Sequence, residues 1–374
     1  MKRPTIADVA RRAGVTKAAV SFALNNQPGV SEATRQRILA IAAEMGFQPS
    51  SAARALSDGR AGAFGLVLDR PARLLGVEPH VMQLISGIQA ELSSHRSTLL
   101  FTSARDQDAE IELYRSWWAQ RTVDGVFVVD VHLDDRRIPI LSALAMPALL
   151  IGPPDASGSL PAIGQDIRAA AETAAAHLAG LGHRRIGRVT GITRHWHTRS
   201  RTKAFAAIAA AMPAEITSIE ADYTSELGAQ ATRAMLGCAR RPTAILYDND
   251  VMAVAGLGEA QRMGFRVPAD LSIMAWDDSV LCEMVHPALT ALRRDIAAVG
   301  AEAARRLTAL AAGREVDDLL EPPPVLMARE STGPPGRLTG SRADQPAAAA
   351  PGPRTGQIPA PGTRAGFAAR RFLG

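Results

Sequence analysis

Apolar positions at the start of the chain recur with helical spacing. Thr5 and Asp8 have the spacing of a capping box, and Gly14 stands where a C′ glycine ends a helix. A second helix follows at once with Thr16 as its N-cap, and a third is predicted over residues 31–45. The inward positions predicted for these helices are Ile6, Val9, Ala10, Ala13, Val20, Ala23, Leu24, Ile38, Ile41, Ala42 and Met45. Two short helices joined by a glycine turn, with a third as support, are typical of a helix-turn-helix.

The second predicted helix carries the residues that this motif places against DNA. In a helix-turn-helix the second helix enters the major groove with its N-terminal residues at base edges. Its outward face here is Lys17, Ala18, Ser21 and Phe22. Lys17 can donate to guanine, and Ala18 and Phe22 can pack on thymine methyl groups. On periodicity alone, a solvated helical face is an open alternative.

Residues 47–60 predict a short helix that is marginal on its own, because it is small and weakly amphipathic. A segment that forms only when something holds it suits a hinge that orders on DNA. Its large apolar residue, Leu56, is of the kind that is inserted between base steps in the minor groove. An ordinary linker is the alternative.

Beyond residue 61 the pattern changes to short apolar runs that alternate with helical stretches. The strands predicted are Ala63–Asp69, Thr98–Thr102, Gly125–Val131, Ala148–Ile151, Ile186–Val189, Ala244–Tyr247 and Leu271–Ala275, and the helices 77–95, 107–120, 167–181, 199–211 and 250–263. Such alternation predicts α/β units on parallel sheets, with ligands at the carboxyl ends of strands. The stretch is longer than one small sheet needs, so we expect two linked lobes with a cleft between them.

Charge is unevenly distributed along the 374 residues. Residues 1–60 hold 9 basic and 4 acidic side chains, residues 61–332 hold 27 and 32, and residues 333–374 hold 6 and 1. A basic head on a mildly acidic body indicates one module that meets an acidic polymer such as DNA and one that does not. The last segment is rich in Pro, Gly, Ala and Arg without periodicity, which predicts a disordered basic tail.

Composition and motifs argue against several other classes of protein. Cys238 and Cys282 make neither a disulfide framework nor a cysteine-rich metal site. No apolar run reaches the ~18–20 residues of a membrane helix, and the charged N-terminus is unlike a signal peptide, so we expect a cytoplasmic protein. His195 and His197 flank Trp196, but no third ligand is evident, so neither a metal nor a cofactor is predicted. Nucleotide-binding and nucleophile-elbow motifs are absent, so no enzyme is predicted.

The stretch TIADVARRAGVTKAAVSFALNNQPGVSEATRQRILAIAAEMGFQPSSAARAL resembles the DNA-binding head of the LacI/GalR bacterial transcription regulators. The resemblance implies DNA contacts from Thr5, Thr16, Lys17, Ala18, Ser21, Phe22, Asn25, Ala53 and Leu56. Many members carry Arg where Phe22 stands, so base preference does not transfer.

The body resembles the effector-binding core of the same family, which has the periplasmic-sugar-binding-protein fold. The segments GQDIRAAAETAAAHLAGLGHRRIGRVTG, TAILYDNDVMAVAGLGEAQRMGFRVPADLSIMAWDD and HPALTALRRD carry this resemblance. It implies effector contacts from Asp166, Arg201, Asn249 and Asp277. Arginine with Asp and Asn acceptors suits the hydroxyls of a sugar, and Trp196 or Trp276 can supply an aromatic face beneath the ring. For Trp276, a core residue is the alternative. Residues 76–80 and 152–154 depart from the family's pattern, which leaves the ligand open.

The sequence therefore predicts a ligand-responsive transcription regulator, a repressor, that binds pseudo-palindromic double-stranded DNA as a homodimer. The predicted domains are a helix-turn-helix head (1–46), a hinge helix or linker (47–60), a two-lobed effector-binding and dimerisation core (61–332) and the tail (333–374). A transporter's solute-binding protein would share the core but would need a signal peptide and no head. An α/β enzyme would need a nucleophile, a base or a phosphate loop.

Overall fold

The structure is a computed structural model that describes residues 4–47, 60–69, 78–156 and 158–336. The predicted hinge residues Ala53 and Leu56, and the predicted tail beyond residue 336, lie outside the described residues.

The N-terminal residues form the predicted three-helix head, with α1 (Ile6–Ala13), α2 (Lys17–Leu24) and α3 (Glu32–Glu44). The capping box of Thr5 and Asp8 is present, and Gly14 adopts φ 65°. The Thr16 hydroxyl accepts a hydrogen bond from the backbone N–H of Ala19 (3.2 Å). The head has its own buried core of Val9, Ala10, Ala13, Val20, Ala23, Ile38 and Ala42. The helix-turn-helix prediction is therefore confirmed at the level of helices, caps and core.

Beyond the head, strands and helices alternate, and the seven predicted strands and five predicted helices are all present. The helices are α4 (Pro79–Ser94), α5 (Gln107–Ala119), α6 (Arg137–Ala143), α7 (Ile167–Gly180), α8 (Trp196–Ala211), α9 (Ser225–Leu236), α10 (Asp250–Arg262), α11 (Val280–Met284) and α12 (Ile296–Ala311). The strands are β1 (Ala63–Asp69), β2 (Thr98–Ala104), β3 (Gly125–Val128), β4 (Ala148–Ile151), β5 (Ala162–Gly164), β6 (Arg185–Thr190), β7 (Glu215–Glu220), β8 (Ala244–Tyr247), β9 (Ser272–Ala275), β10 (Thr290–Arg293), β11 (Leu319–Leu320) and β12 (Val325–Met327).

The strands form two six-stranded sheets, and each sheet defines a lobe. The first lobe has the strand order β11-β5-β4-β3-β1-β2, and the second has the order β12-β10-β9-β8-β6-β7. All pairs are parallel except β10 with β12, which are antiparallel. The expected parallel sheets and two-lobed core are thus confirmed, and the central strands are buried on both faces as parallel strands between helices must be.

The chain passes between the lobes at three places in its described part. It leaves the first lobe after β5 at Gln165, returns after β10 at Arg294, and leaves again after β11 at Glu321. As a result α12, which follows the second sheet in sequence, packs in the core of the first lobe against α4. These crossings place backbone from both lobes around one cleft.

Several boundaries differ from the sequence-based expectations. Strand β3 ends at Val128 instead of residue 131, and α8 begins at Trp196 instead of residue 199. No element was predicted where α6, α9, α11, α12, β5, β7, β10, β11 and β12 lie. Half of the buried residues of α12 are glycine or alanine, and β7 is a mostly exposed edge strand, which weakens the apolar pattern of both elements.

Candidate functional site

The cleft between the lobes contains a cavity of about 160 Å³, lined from both lobes at the carboxyl ends of parallel strands. Asp130 stands two residues after β3, Asn249 two after β8 and Asp277 two after β9. Four of the five predicted effector residues line this cavity: Trp196, Arg201, Asn249 and Asp277. The tertiary structure therefore brings together residues that are up to 81 positions apart in sequence.

Asp166, the fifth predicted effector residue, is not among the residues that line this cavity. Its carboxylate caps α7 by accepting from the backbone N–H of Ala169 (3.0 Å). Its neighbour Gln165 lines the cavity and is buried, and its amide nitrogen has no hydrogen-bond partner among the described residues. Sequence reasoning missed Gln165 because the choice between adjacent residues depends on how the chain crosses between the lobes at this point.

Arg201 is held in the cavity wall by several contacts. It is buried, it donates to the backbone carbonyl of Asp248 (2.9 Å), and its guanidinium lies 4.2 Å from the ring centroid of Trp276. Arg188 donates two hydrogen bonds to the Asp248 carboxylate (3.0 and 2.8 Å), and that carboxylate also lies 3.7 Å from Arg201. The buried Arg188–Asp248 pair thus positions Arg201, and no sequence pattern indicated either partner.

The two tryptophans have different positions. Trp276 is fully buried and packs edge-on against Phe205, and it does not line the cavity, so its interpretation as a core residue is the one that holds. Trp196 is half-buried and lines the cavity, and its indole nitrogen has no hydrogen-bond partner in the described part of the chain. Trp196 is therefore the tryptophan available to a ligand.

The side chains of Asn249 and Asp277 make different contacts. The Asn249 side chain caps α10 by accepting from Met252 N–H (2.9 Å) and donates to the Tyr223 carbonyl (3.2 Å). The Asp277 carboxylate lies 4.0 Å from the ring of His80. Beside it, burial and the charge of Asp277 raise the pKa of Asp250 to about 6.

The cavity lining is acidic. The lining contains two arginines, Arg201 and Arg294, and six carboxylates. The carboxylates are Glu78, Asp130, Asp248, Asp250, Asp277 and Glu321. Arg294 and Glu321, which stand at two of the chain crossings, form a partly buried ion pair with hydrogen bonds of 2.7 and 2.9 Å. An excess of carboxylates provides acceptors for hydroxyl or cationic ligand groups.

Asp130, His195 and His197 come together at the edge of this cavity, with potential ligand atoms all within 4.8 Å of one another. The sequence offered the two histidines without a third ligand, because Asp130 lies in the other lobe. These residues have the donor types of a transition-metal site.

The predicted DNA-contact residues of the described head lie at its surface or partly exposed. Thr5, Thr16, Lys17 and Ala18 are exposed, and Ser21 and Asn25 are half-buried. Phe22 is 38% exposed, with its ring against Gly29. Arg35, which sequence reasoning did not single out, donates from α3 to the carbonyls of Phe22, Ala23 and Gln27 and so fixes the end of α2.

A helix-turn-helix head in one chain with a two-lobed core around a polar cleft defines the class of two-module transcriptional regulators. Residues 5–50 match the family described as "Bacterial regulatory proteins, lacI family", and residues 175–332 match that of a "Periplasmic binding protein-like domain". The chain belongs to the lacI family of bacterial regulatory proteins.

Individual relatives agree with this assignment. The HTH-type transcriptional regulator MalR of Streptomyces coelicolor is 31% identical over 314 residues, which are 81% of this chain and 88% of that protein. The crystal structure of the lac repressor dimer bound to operator and the anti-inducer ONPF superposes with a TM-score of 0.76 at 25% identity, covering 89% of this chain and 100% of the other. The structure of the transcriptional regulator CelR–cellobiose complex gives 0.66 at 27% identity, covering 88% and 100%. Across the described residues, no helix is both long and apolar enough to cross a membrane.

Proposed function

We propose that this protein is a repressor whose affinity for operator DNA is controlled by a sugar or related metabolite bound between its lobes. The observation that carries the ligand proposal is a set of polar atoms at one cavity without hydrogen-bond partners among the described residues. They are Gln165 Nε2, Trp196 Nε1, Arg201 Nε and Asp250 Oδ2. Buried polar groups are normally paired, so donors and acceptors of this kind indicate a polar ligand.

The chemistry of these groups matches a polyhydroxylated ring. Each hydroxyl of a sugar both donates and accepts, so Gln165 and Arg201 supply donors and the Asp250 carboxylate supplies an acceptor. The half-buried indole of Trp196 offers an apolar face for a ring's C–H groups. The CelR relative, in a complex with cellobiose, supports a saccharide as the first class of ligand to test.

The head and the core are proposed to act as a homodimer on a pseudo-palindromic operator. A two-fold dimer presents two recognition helices to two half-sites, so protein symmetry requires operator symmetry. Val280 and Met284 lie four residues apart on α11 and are 59 and 75% exposed, and this adjacent apolar pair supports an interface on the core. The domain limits 1–46, 47–60, 61–332 and 333–374, and an intracellular site of action, belong to this proposal.

Ligand binding is proposed to change operator affinity by shifting the arrangement of the two lobes. Because the cavity is lined from both lobes, a ligand there binds differently to closed and open arrangements. A change of about 100-fold in operator affinity needs only about 3 kcal/mol of coupling.

Selection of binding sites from a random duplex library with the purified protein, at a low and a high salt concentration, tests the function. We expect a symmetric motif that persists at the higher salt, because base contacts depend on salt less than phosphate contacts do. The same selection with each of a panel of mono- and disaccharides should weaken enrichment for at least one of them. Binding that disappears with salt and shows no motif in any condition would contradict the proposal.

A further inference from the structure

Outside the proposed sugar contacts, Asp130, His195 and His197 form a cluster of potential metal ligands where the two lobes meet. Asp130 follows β3 of the first lobe, and His195 and His197 stand at the start of α8 of the second lobe. Their potential ligand atoms all lie within 4.8 Å of one another. His195 is buried, and Asp130 and His197 are half-buried.

Backbone hydrogen bonds join the two loops that carry these residues. Leu133 N–H donates to the Arg194 carbonyl (3.0 Å), and Trp196 N–H donates to the Val131 carbonyl (2.8 Å). The rings of His132 and His195 stack across the junction, with centroids 5.2 Å apart. The cluster therefore spans a junction that is already ordered.

A buried ion network fixes the loop that carries Asp130. Arg137 donates to the carbonyls of Val129 (2.9 Å) and Asp130 (3.3 Å) and pairs with the carboxylates of Glu110 (2.9 Å) and Asp135 (2.6 Å). The side chains of Arg137, Glu110 and Asp135 are all almost fully buried. Support of this kind holds a potential ligand in place before an ion arrives.

The histidine side of the cluster is also supported. The Tyr223 hydroxyl lies 2.6 Å from Nε2 of His197 and 2.9 Å from the Thr198 hydroxyl. Hydrogen bonds to a ring nitrogen orient metal-binding histidines and are a regular part of such sites.

The donor set and its electrostatic surroundings favour a divalent transition metal. Two imidazoles and one carboxylate, with a fourth position left for water or ligand, are the donors of three-ligand zinc sites. Tetrahedral zinc with bonds of about 2.0–2.1 Å needs donors roughly 3.3 Å apart, so a bound ion would draw these side chains together by up to about 1.5 Å. The six carboxylates of the lining outnumber the three arginines beside them, Arg188, Arg201 and Arg294, and this excess of negative charge attracts a cation.

We propose that Asp130, His195 and His197 bind one divalent transition-metal ion, with zinc as the first ion to test, at the lobe junction. Because Asp130 and His197 line the cavity, an ion bound to them would lie at the cavity wall. An ion bound there links the two lobes through ligands from each. Binding of this ion can be tested without knowing which sugar or which operator the protein binds.

Calorimetric titration of the chelator-stripped full chain with ZnCl₂ tests the site, together with the absorption spectrum of the CoCl₂-loaded protein. We expect one ion per chain, the intense visible bands of four- or five-coordinate cobalt, and a higher melting temperature with zinc, because an ion that binds only the folded chain stabilises it. His197→Gln, His195→Gln and Asp130→Asn should each weaken zinc binding by more than about tenfold, since even loss of an outer-shell partner has that effect.

His95→Gln is the matched control, because His95 is exposed at the end of α4, away from the cluster. It should leave the zinc affinity and the cobalt spectrum unchanged. The melting curve of each variant in chelator shows whether it folds. Because three separate variants are made, one that does not fold can be excluded and the others still test the site. Zinc affinity that is the same in the folded cluster variants as in the unsubstituted protein, or a cobalt spectrum of the pale six-coordinate kind, would overturn the proposal.

Discussion

Individual residues in this protein owe their roles to burial and to neighbours that the sequence does not reveal. The guanidinium group of any arginine can donate hydrogen bonds to a sugar. The contacts that hold Arg201 in place, however, come from Asp248 and Trp276, which are 47 and 75 positions away. Asp250 is similar. As the residue after an N-cap it is an ordinary helix-start acid, yet burial and the charge of Asp277 raise its pKa to about 6.

The raised pKa of Asp250 makes a prediction about stability and pH. A carboxyl whose pKa is higher in the folded than in the unfolded chain binds its proton better when folded, so its contribution to stability rises as pH falls through 6. Between pH 8 and pH 5 this contribution amounts to about 1 kcal/mol. We expect Asp250→Asn to remove it, so that the difference in free energy of unfolding between variant and unsubstituted protein changes by that amount.

Urea unfolding at both pH values measures this difference, and the exposed Asp317→Asn serves as control. A difference between Asp250→Asn and the unsubstituted protein that stays constant from pH 8 to pH 5 would show that the burial of Asp250 does not shift its titration.

At the level of elements, packing against α4 explains why α12 lies in the first lobe. Two glycines lie at the contact between these helices: a Cβ on Gly87 would overlap the backbone of Ala297, and a Cβ on Gly300 would overlap the carbonyl of Leu84. The helices therefore approach more closely than any larger residue permits. The sequence alone does not show that these glycines allow close helix packing, because a glycine within a helical pattern normally only weakens the prediction of a helix.

We expect Gly87→Ala to lower the free energy of unfolding by about 1–3 kcal/mol, because the added methyl group forces two backbones apart. Gly258→Ala is the matched control, since Gly258 lies within α10 and has open space where the added methyl group would stand. It should leave stability unchanged or raise it by about 0.5–1 kcal/mol through helix propensity. Chemical denaturation of both variants is the measurement, and equal effects of the two substitutions would contradict the close-packing account.

On the scale of the whole molecule, the head and the core have separate hydrophobic clusters, so a change in the cavity need not disturb the DNA-reading surface. In the proposed function, the head binds the operator and the cavity between the lobes binds the ligand. The proposal couples the two through a change in the arrangement of the lobes.

This separation predicts the behaviour of Arg201→Ala. The variant should bind the selected operator within about threefold of the unsubstituted protein but lose the response to the saccharide that weakens binding, because the cavity loses its fixed donor. Fluorescence anisotropy with the operator, with and without that saccharide, measures both properties. The exposed Arg240→Ala is the control and should keep both. A normal response in Arg201→Ala would place the ligand elsewhere.

The sequence by itself determined the head, most of the strand–helix alternation and four residues of the cavity. These features are local: a capping box, a C′ glycine and an apolar run each act within a few positions of the chain. Arg201, Asn249 and Asp277 were found because the resemblance to the family implies them, and Trp196 because it stands just before Arg201 and offers an aromatic face.

Only the tertiary structure decided that Gln165 and not Asp166 lines the cavity, that Trp276 is a core residue, and that Asp130 joins His195 and His197. Each of these depends on how the chain crosses between the lobes. Sequence patterns report which side of an element is buried, but residues from different lobes meet only when packing fixes the angle and distance between their elements. For that reason the cluster at the lobe junction became visible only in three dimensions.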